Sequence, residues 1–329
     1  MSSLAPTLEA FFTERLVAQR RVSPHTVASY RDAWRLLLNF ASEQTGKQPC
    51  TLDLEDLDAP LIGAFLTHLE TARHNRVRTR NARLVAVHSF YRFAALRHPE
   101  HAALIQRVLA IPLKRTDRPL VTFLTRPEID ALLCAPQRTT WIGRRDHALL
   151  VVAIQTGLRV SELTALCCAD VVLGTGAHMR CHGKGRKERH TPLTGHTSKV
   201  LKTWMAERQG DPADPVFPSR RGGPLSRDAV ELLVARHAAA AQQRCPSLRA
   251  KTVTPHVLRH SCAMALLHAG IDVTVIALWL GHESIEATNI YLHADLAIKE
   301  QALAKTTPPN SAPGRYHPPD SLLAFLEGL

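Results

Sequence analysis

Two arginines, a lysine, two histidines and a tyrosine stand in this chain in an order suited to attack on a phosphodiester. His256 and Arg259 are three positions apart in His256-Val257-Leu258-Arg259-His260. His282 follows Arg259 by 23 positions, in Leu280-Gly281-His282, and Tyr291 lies nine further on. Upstream are Thr156-Gly157-Leu158-Arg159-Val160-Ser161-Glu162-Leu163 and His182-Gly183-Lys184-Gly185-Arg186-Lys187-Glu188-Arg189. A phosphodiester is anionic and its leaving alkoxide is poor. Without metal, a protein must neutralise the nonbridging oxygens, supply a nucleophile and protonate the leaving oxygen. Arginine suits the first task, because its planar fork gives paired hydrogen bonds and stays charged; Arg159 and Arg259 are the candidates.

Tyr291 is the candidate nucleophile. Of the other tyrosines, Tyr30 and Tyr91 fall on apolar helix stripes and Tyr316 lies among prolines. A phenol needs nearby positive charge or a base to react at neutral pH. His256 sits in the first turn of a helix opened by Thr254-Pro255, where a phosphate binds well and an imidazole stays neutral, as a base or proton shuttle requires. His260, one position round the helix from Arg259, reads as a brace for the site. Lys184, flanked by glycines in a hairpin turn, is placed to protonate the departing 5′ oxygen, and Lys187 competes for that role.

The elements that must position these groups follow from periodicity and punctuation. Residues 7–98 read as four amphipathic helices with short connections, a small bundle. Ser23-Pro24 is an N-cap followed by proline, ahead of a stripe of Val27, Tyr30, Trp34, Leu37 and Leu38. Leu61, Phe65 and Leu69 mark a third helix, and Leu84, Val87, Tyr91 and Ala94 a fourth. Residues 110–119 are polar, basic and proline-flanked, as a linker is. Beyond them, Thr125 with Glu128 starts a helix, Asp146–Thr156 is a buried helix stopped by Gly157, and Ser161 caps a short one. Residues 171–193 carry strand character around the glycine turn. Ser226, Thr254, Asp272 and Ser284 are N-caps of later helices. Residues 306–320 hold five prolines and are expected to be extended, ahead of a short apolar helix at Ser321–Leu326.

The formal charge is +12 and 45% of residues are apolar, which fits a folded protein with a polyanionic partner. Between Thr71 and His98 there is no acidic residue but seven arginines. Arg73, Arg76, Arg78, Arg80, Arg83 and Arg92 are therefore candidates for phosphate contact, with Lys187 and Arg189 from the hairpin. No apolar run reaches a membrane span, the start lacks a signal-peptide layout, and the seven cysteines form no C-x-x-C pair. The expected setting is a reducing cytoplasm. No spaced Asp/Asp/Glu set suggests a metal-dependent transposase.

In order and spacing these residues resemble the tyrosine recombinase (phage integrase) family, over residues 5 to 300. The resemblance implies a mainly α fold with a small β-hairpin or sheet. It implies an N-terminal four-helix, SAM-like core-binding domain (residues 1–110), a linker (111–119), an α-rich catalytic domain (120–305) and an extended tail (306–329). It assigns catalysis to Arg159, Lys184, His256, Arg259, His282 and Tyr291, matches Lys184 to the general acid, gives Lys187 and Arg189 bracing or backbone contacts, and leaves Glu162 a framework role. The implied reaction forms a 3′-phosphotyrosyl link and needs no cofactor, metal or ATP. The implied partner is double-stranded DNA with paired inverted half-sites, bound by a homo-oligomer, expected to be a tetramer. The 38 residues after Tyr291 favour a mobile-element enzyme over a chromosome-dimer-resolving Xer-type one. A type IB topoisomerase, which uses the same residues, and a non-catalytic DNA-binding regulator compete with the recombinase; the regulator would be expected to lack the tyrosine or an arginine.

Overall fold

The computed structural model describes residues 4–116, 121–183, 188–282 and 286–292. Lys184, Lys187, Ser284 and the whole stretch 306–329 lie outside them. The fold is mainly α with one small sheet, in two compact units, Met1–Arg118 and Pro119–Leu329.

In the first unit, α1 (Leu4–Ala10) runs on as a π-helical stretch, Phe11–Gln19. Then come α2 (Pro24–Thr45), α3 (Ala59–Thr71), α4 (Val77–Ala94) and α5 (Ala102–Leu109). Ser23 Oγ accepts from the Thr26 N–H at 3.2 Å, as its position before Pro24 suggests, and Asp58 caps α3 in the same way. Trp34, Leu37, Phe65, Leu69, Leu84, Val87, Tyr91 and Ala94 meet in one core. Tyr91 is buried whole and gives its hydroxyl to the Leu57 carbonyl at 2.6 Å, which satisfies the polar end of an otherwise apolar group.

Helix α5 departs from the four-helix expectation. It is eight residues long and carries no side-chain cap, so nothing local announces it; burial of Ile105 and Val108 against the bundle holds it. The segment after it is not a free linker throughout. Arg80 Nη1 donates to the Pro112 carbonyl at 3.1 Å, and Asn81 exchanges hydrogen bonds with the Lys114 backbone, tying that strip to α4.

The second unit holds α6 (Arg126–Cys134), α7 (Trp141–Thr156), α8 (Val160–Ala165), then strands β1 (Val171–Val172), β2 (His178–His182) and β3 (Glu188–Pro192). These are followed by α9 (Gly195–Arg208), α10 (Arg227–Ala241), α11 (Pro255–His268), α12 (Val273–Leu280) and α13 (Glu286–Leu292). The strands form an antiparallel sheet in the order β1-β2-β3, with Met179 opposite Thr191 and Cys181 opposite Arg189. The strand region is thus three strands rather than a bare hairpin, because Val171 and Val172 pair back on β2. Thr125 and Glu128 form a reciprocal capping box on α6, and Ser226, Thr254 and Asp272 cap α10, α11 and α12. Ser161 does not cap α8: Arg159 is the N-cap residue, and the carboxylate of Glu162 closes the helix start. Helix α7 is buried over most of its length against α9 and α11, as its apolar run requires.

Candidate active site

Two glycines shape the site. Gly157 ends α7 at φ 64°, and a Cβ there would lie 2.6 Å from Leu280 Cδ2. Gly281 ends α12 at φ 65°, and a Cβ there would lie 2.8 Å from an Arg189 nitrogen. Both positions combine a left-handed backbone with close approach, so only glycine fits without displacement. The two helix ends are thereby brought together.

Three arginines gather at the C-terminal end of α12. Arg189 Nε donates to the Trp279 carbonyl at 3.2 Å, Arg259 Nη2 to Leu280 at 2.8 Å, and Arg159 Nη2 to Gly281 at 2.7 Å. The last carbonyls of a helix have no partner within it and carry partial negative charge, so they hold guanidinium groups well. Arg259 also donates to the Gly157 carbonyl at 2.7 Å, joining the ends of α7 and α12 through one side chain. Glu162 anchors the cluster from below. It accepts from Arg159 Nη1 at 2.8 Å and from both terminal nitrogens of Arg189, at 2.9 and 2.7 Å. Burial pushes the Glu162 carboxyl up, but the hydrogen bonds and charge of Arg189, then those of Arg159, outweigh it and hold it at about 2. Burial, then the charge of Arg159, lowers Arg259 to about 10; it stays charged at neutral pH.

Tyr291 lies on α13 and is 2% exposed. Its hydroxyl is 3.0 Å from His260 Nδ1. The His282 ring lies nearly parallel to the phenol with centroids 6.3 Å apart, and its Nδ1 is 2.7 Å from Thr288 Oγ1. Behind His260 stands His256, exposed in the first turn of α11, with ring centroids 4.1 Å apart. Burial raises Tyr291 to about 12, against the opposing charges of Arg259 and Arg159. Burial also lowers His260 to about 4, helped by His256, Arg259 and His282. His282 falls to about 4 through burial and then Arg259, Arg159 and Arg189. Both imidazoles are therefore neutral at pH 7 and can accept a proton.

The comparisons fall on this same arrangement. Residues 122–297 match the phage integrase family, and residues 10–98 match the phage integrase N-terminal SAM-like domain. The chain belongs to the phage integrase family. It is 57% identical to the Sinorhizobium fredii protein named "Putative integrase/recombinase y4rC", over 100% of this chain and 99% of that one. It is 32% identical to the tyrosine recombinase XerC of Herpetosiphon aurantiacus, over 92% and 96% of the two chains. The fold is that of the XerH site-specific recombinase bound to a palindromic difH substrate, with TM-score 0.70, 21% identity and coverage of 87% and 81%. This protein is a tyrosine recombinase, an enzyme of DNA strand cleavage and rejoining.

Of the recombinase's sequence-nominated groups, Arg159, Arg259, His282 and Tyr291 converge, with His256 one ring behind. The nominated DNA-contact arginines divide. Arg73, Arg76, Arg78 and Arg92 are exposed and Arg83 is half-buried. Arg80 is 6% exposed and donates from Nη1 to Asn81 Oδ1 and the Pro112 carbonyl, so it is an internal tie rather than a surface contact. Arg189 is likewise turned inward, with its side chain 13% exposed against Glu162. Thr288 and the Tyr291 contact of His260 escaped the sequence reading. Both depend on how α13 packs on α11 and α12, for which spacing alone carries no signal.

Proposed function

We propose that this recombinase cuts DNA by attack of Tyr291 Oη on a scissile phosphate held by Arg159 and Arg259. The observation that carries this reading is the convergence of both guanidinium groups on the end of α12, close enough for their charges to act on the Tyr291 phenol. The arginines are preorganised: their contacts to fixed carbonyls set the forks before substrate arrives, so little reorganisation accompanies charge development in the transition state. The N–H groups left over on each fork are the ones offered to the nonbridging oxygens. His282 stacks beside the phenol and His256 sits in the first turn of α11; both are assigned to positioning and proton traffic at the phosphate. Lys184 is assigned the proton for the leaving 5′ oxygen. The bond energy stays in the phosphotyrosyl link, and a 5′ hydroxyl from a partner strand reverses the step. Tyr291 is covered in the DNA-free chain, so the reading requires that DNA binding expose its hydroxyl to the phosphate.

The biological setting assigned is a mobile element, in the cytoplasm, on double-stranded DNA with paired inverted half-sites and in a tetramer. The full-length relative at 57% identity carries an integrase/recombinase name, whereas the XerC relatives stand at 30–33%. Among the described residues no helix is long and apolar enough to cross a membrane. The second unit also carries an apolar groove of about 1010 Å³, lined by Phe123, Ile129, Leu133, Val151, Met264 and Trp279 among others. Its assigned occupant is the apolar end of a neighbouring copy, Leu322, Leu323, Phe325 and Leu326, which is too short to be stable unburied.

The test is to trap the covalent complex on nicked DNA and locate the modified peptide by mass spectrometry. The reading expects the 3′ phosphate on Tyr291. A label on Tyr30, Tyr91 or Tyr316, or on a serine, overturns it.

A further inference from the structure

On the reading that Tyr291 is the nucleophile and that DNA binding must uncover it, we propose that residues 121–125 are a strap that latches it. The strap holds Tyr291 covered in the DNA-free chain. The first unit, once engaged on DNA, releases it by drawing on the strap.

Tyr291 is buried in a small core of its own, with Cys262, Ala263, Met264, Ile276 and Leu280. That core is separate from the main one of the second unit, and a small satellite core opens at less cost than a main one. Val121 and Phe123 pack against the tyrosine's core, whereas Leu124, 3% exposed, belongs to the main one. The strap therefore joins the two.

Its backbone is pinned at three successive residues. Lys251 Nζ donates to the Phe123 carbonyl at 2.8 Å and to Glu128 at 2.7 Å. The Leu124 N–H donates to Ser261 Oγ at 2.8 Å, and the Thr125 N–H to Glu128 Oε2 at 2.8 Å. Ser261 is itself buried and gives its hydroxyl to the Val257 carbonyl at 2.8 Å. It lies two residues past Arg259 on α11, so the strap is fastened to the helix that carries a phosphate-binding arginine. A segment held in this way moves as a piece, and packed elements of this kind switch between discrete arrangements rather than deform smoothly.

Chain continuity supplies the input. The Lys114 backbone is tied to the first unit through Asn81. Val121 follows seven residues later (121 − 114). Seven residues span at most about 25 Å, so the first unit cannot move further than that from the strap without moving it. DNA gripped by the first unit thus biases a two-state element, Tyr291 covered or uncovered.

The experiment places an insert of about six glycine and serine residues, flexible along its length, between Arg118 and Pro119. Full-length chains with and without the insert carry either the native strap or Val121→Ala together with Phe123→Ala. Each is scored at saturating protein for DNA binding by gel shift and for single-turnover covalent complex on nicked DNA. The insert chain is expected to bind DNA yet form covalent complex about tenfold more slowly or worse, the scale set by a minor state populated at about 10% or less. The two alanines are expected to recover most of that rate, because the latch is then already open. Without DNA, nitration of Tyr291 should rise about tenfold in the alanine chain, with the buried Tyr91 as control. An insert chain that cleaves at the wild-type rate overturns the latch, since DNA then uncovers Tyr291 without the strap. A slow insert chain that the alanines fail to rescue overturns it too, as does unchanged nitration. If the alanine chain does not fold, Ser261→Ala, which drops one pin and keeps the apolar surface, is scored in its place. Unfolding there as well makes the strap a structural element and overturns the proposal. A wild type that forms no covalent complex strikes down the nucleophile reading instead.

Discussion

With its side chain 4% exposed, Glu162 takes one guanidinium hydrogen bond from Arg159 and two from Arg189. Removing it leaves two arginines at one helix end with no counter-charge, and breaking a buried pair from one side costs about 3–5 kcal/mol. Glu162→Ala should therefore lower unfolding free energy by that order as well as slow cleavage; denaturant unfolding with an unchanged midpoint would show that the cluster does not need it. The histidines set the pH dependence. His260 and His282 lie at about 4 in the folded chain, below their unfolded value near 6.5. The unfolded chain thus binds more protons between those values, and the stability linked to neutral imidazole, complete above the unfolded value, is lost as pH falls toward the folded one. Glu162 acts in the same direction lower down, losing its contribution as pH drops from the usual carboxylate range toward about 2. The thermal midpoint should fall between about pH 7 and about pH 5, and less so in His282→Asn; a midpoint that rises on acidification contradicts the buried neutral imidazoles. At this scale, Arg159, Arg259, His282 and Tyr291 were visible in the sequence because each sits in a short local pattern. The contact of His260 was not, since one residue along a helix turns a side chain by more than a quarter circle and only the packing of α13 says which one meets the phenol.

At the scale of elements, the site depends on two helix ends touching through glycines. Gly157→Ala places a Cβ against Leu280 and Cys262 in a left-handed backbone, so its cost should exceed the ~1 kcal/mol of the backbone effect alone. It should also disturb Arg259, which bonds the Gly157 carbonyl, and so reduce cleavage more than it reduces DNA affinity. Calorimetry and gel shifts on the variant check both; an alanine variant as stable and active as wild type would mean the two ends have slack. Helix starts were legible at Ser23, Ser226, Thr254 and Asp272, whereas the caps Thr140 of α7 and Thr194 of α9 went unread, and with the second the whole of α9. Helix α5 and the true start of α8 were not legible either, because the first has no cap and the second is closed by a glutamate inside the helix rather than by Ser161. Strand β1 lies inside the stretch read as strand, but its separation from β2 was not legible: two residues have no periodicity, and pairing with β2 alone defines them.

At the scale of the whole molecule, the net charge of +12 directs the enzyme to a polyanion, but burial decides which charges can take part. Neutralising Arg73, Arg76 and Arg78, all exposed, should flatten the salt dependence of DNA binding, the slope falling by about one for each phosphate left without its arginine. Arg80→Ala should instead leave the slope alone and lower stability, because it unties the strip at Pro112. The reverse pattern in salt titrations would put Arg80 on DNA. Deleting residues 318–329 should leave binding to one half-site intact and remove cooperative filling of two, if the apolar end links neighbouring copies; retained cooperativity means it docks on its own chain or nowhere. The claim on which all of this rests is that Tyr291 makes the covalent bond to DNA. The most direct measurement compares wild type and Tyr291→Phe on nicked suicide DNA, scoring binding by gel shift and covalent product by denaturing gel. Loss of covalent product with binding retained is the predicted result; covalent product at the wild-type level from the phenylalanine variant would contradict it.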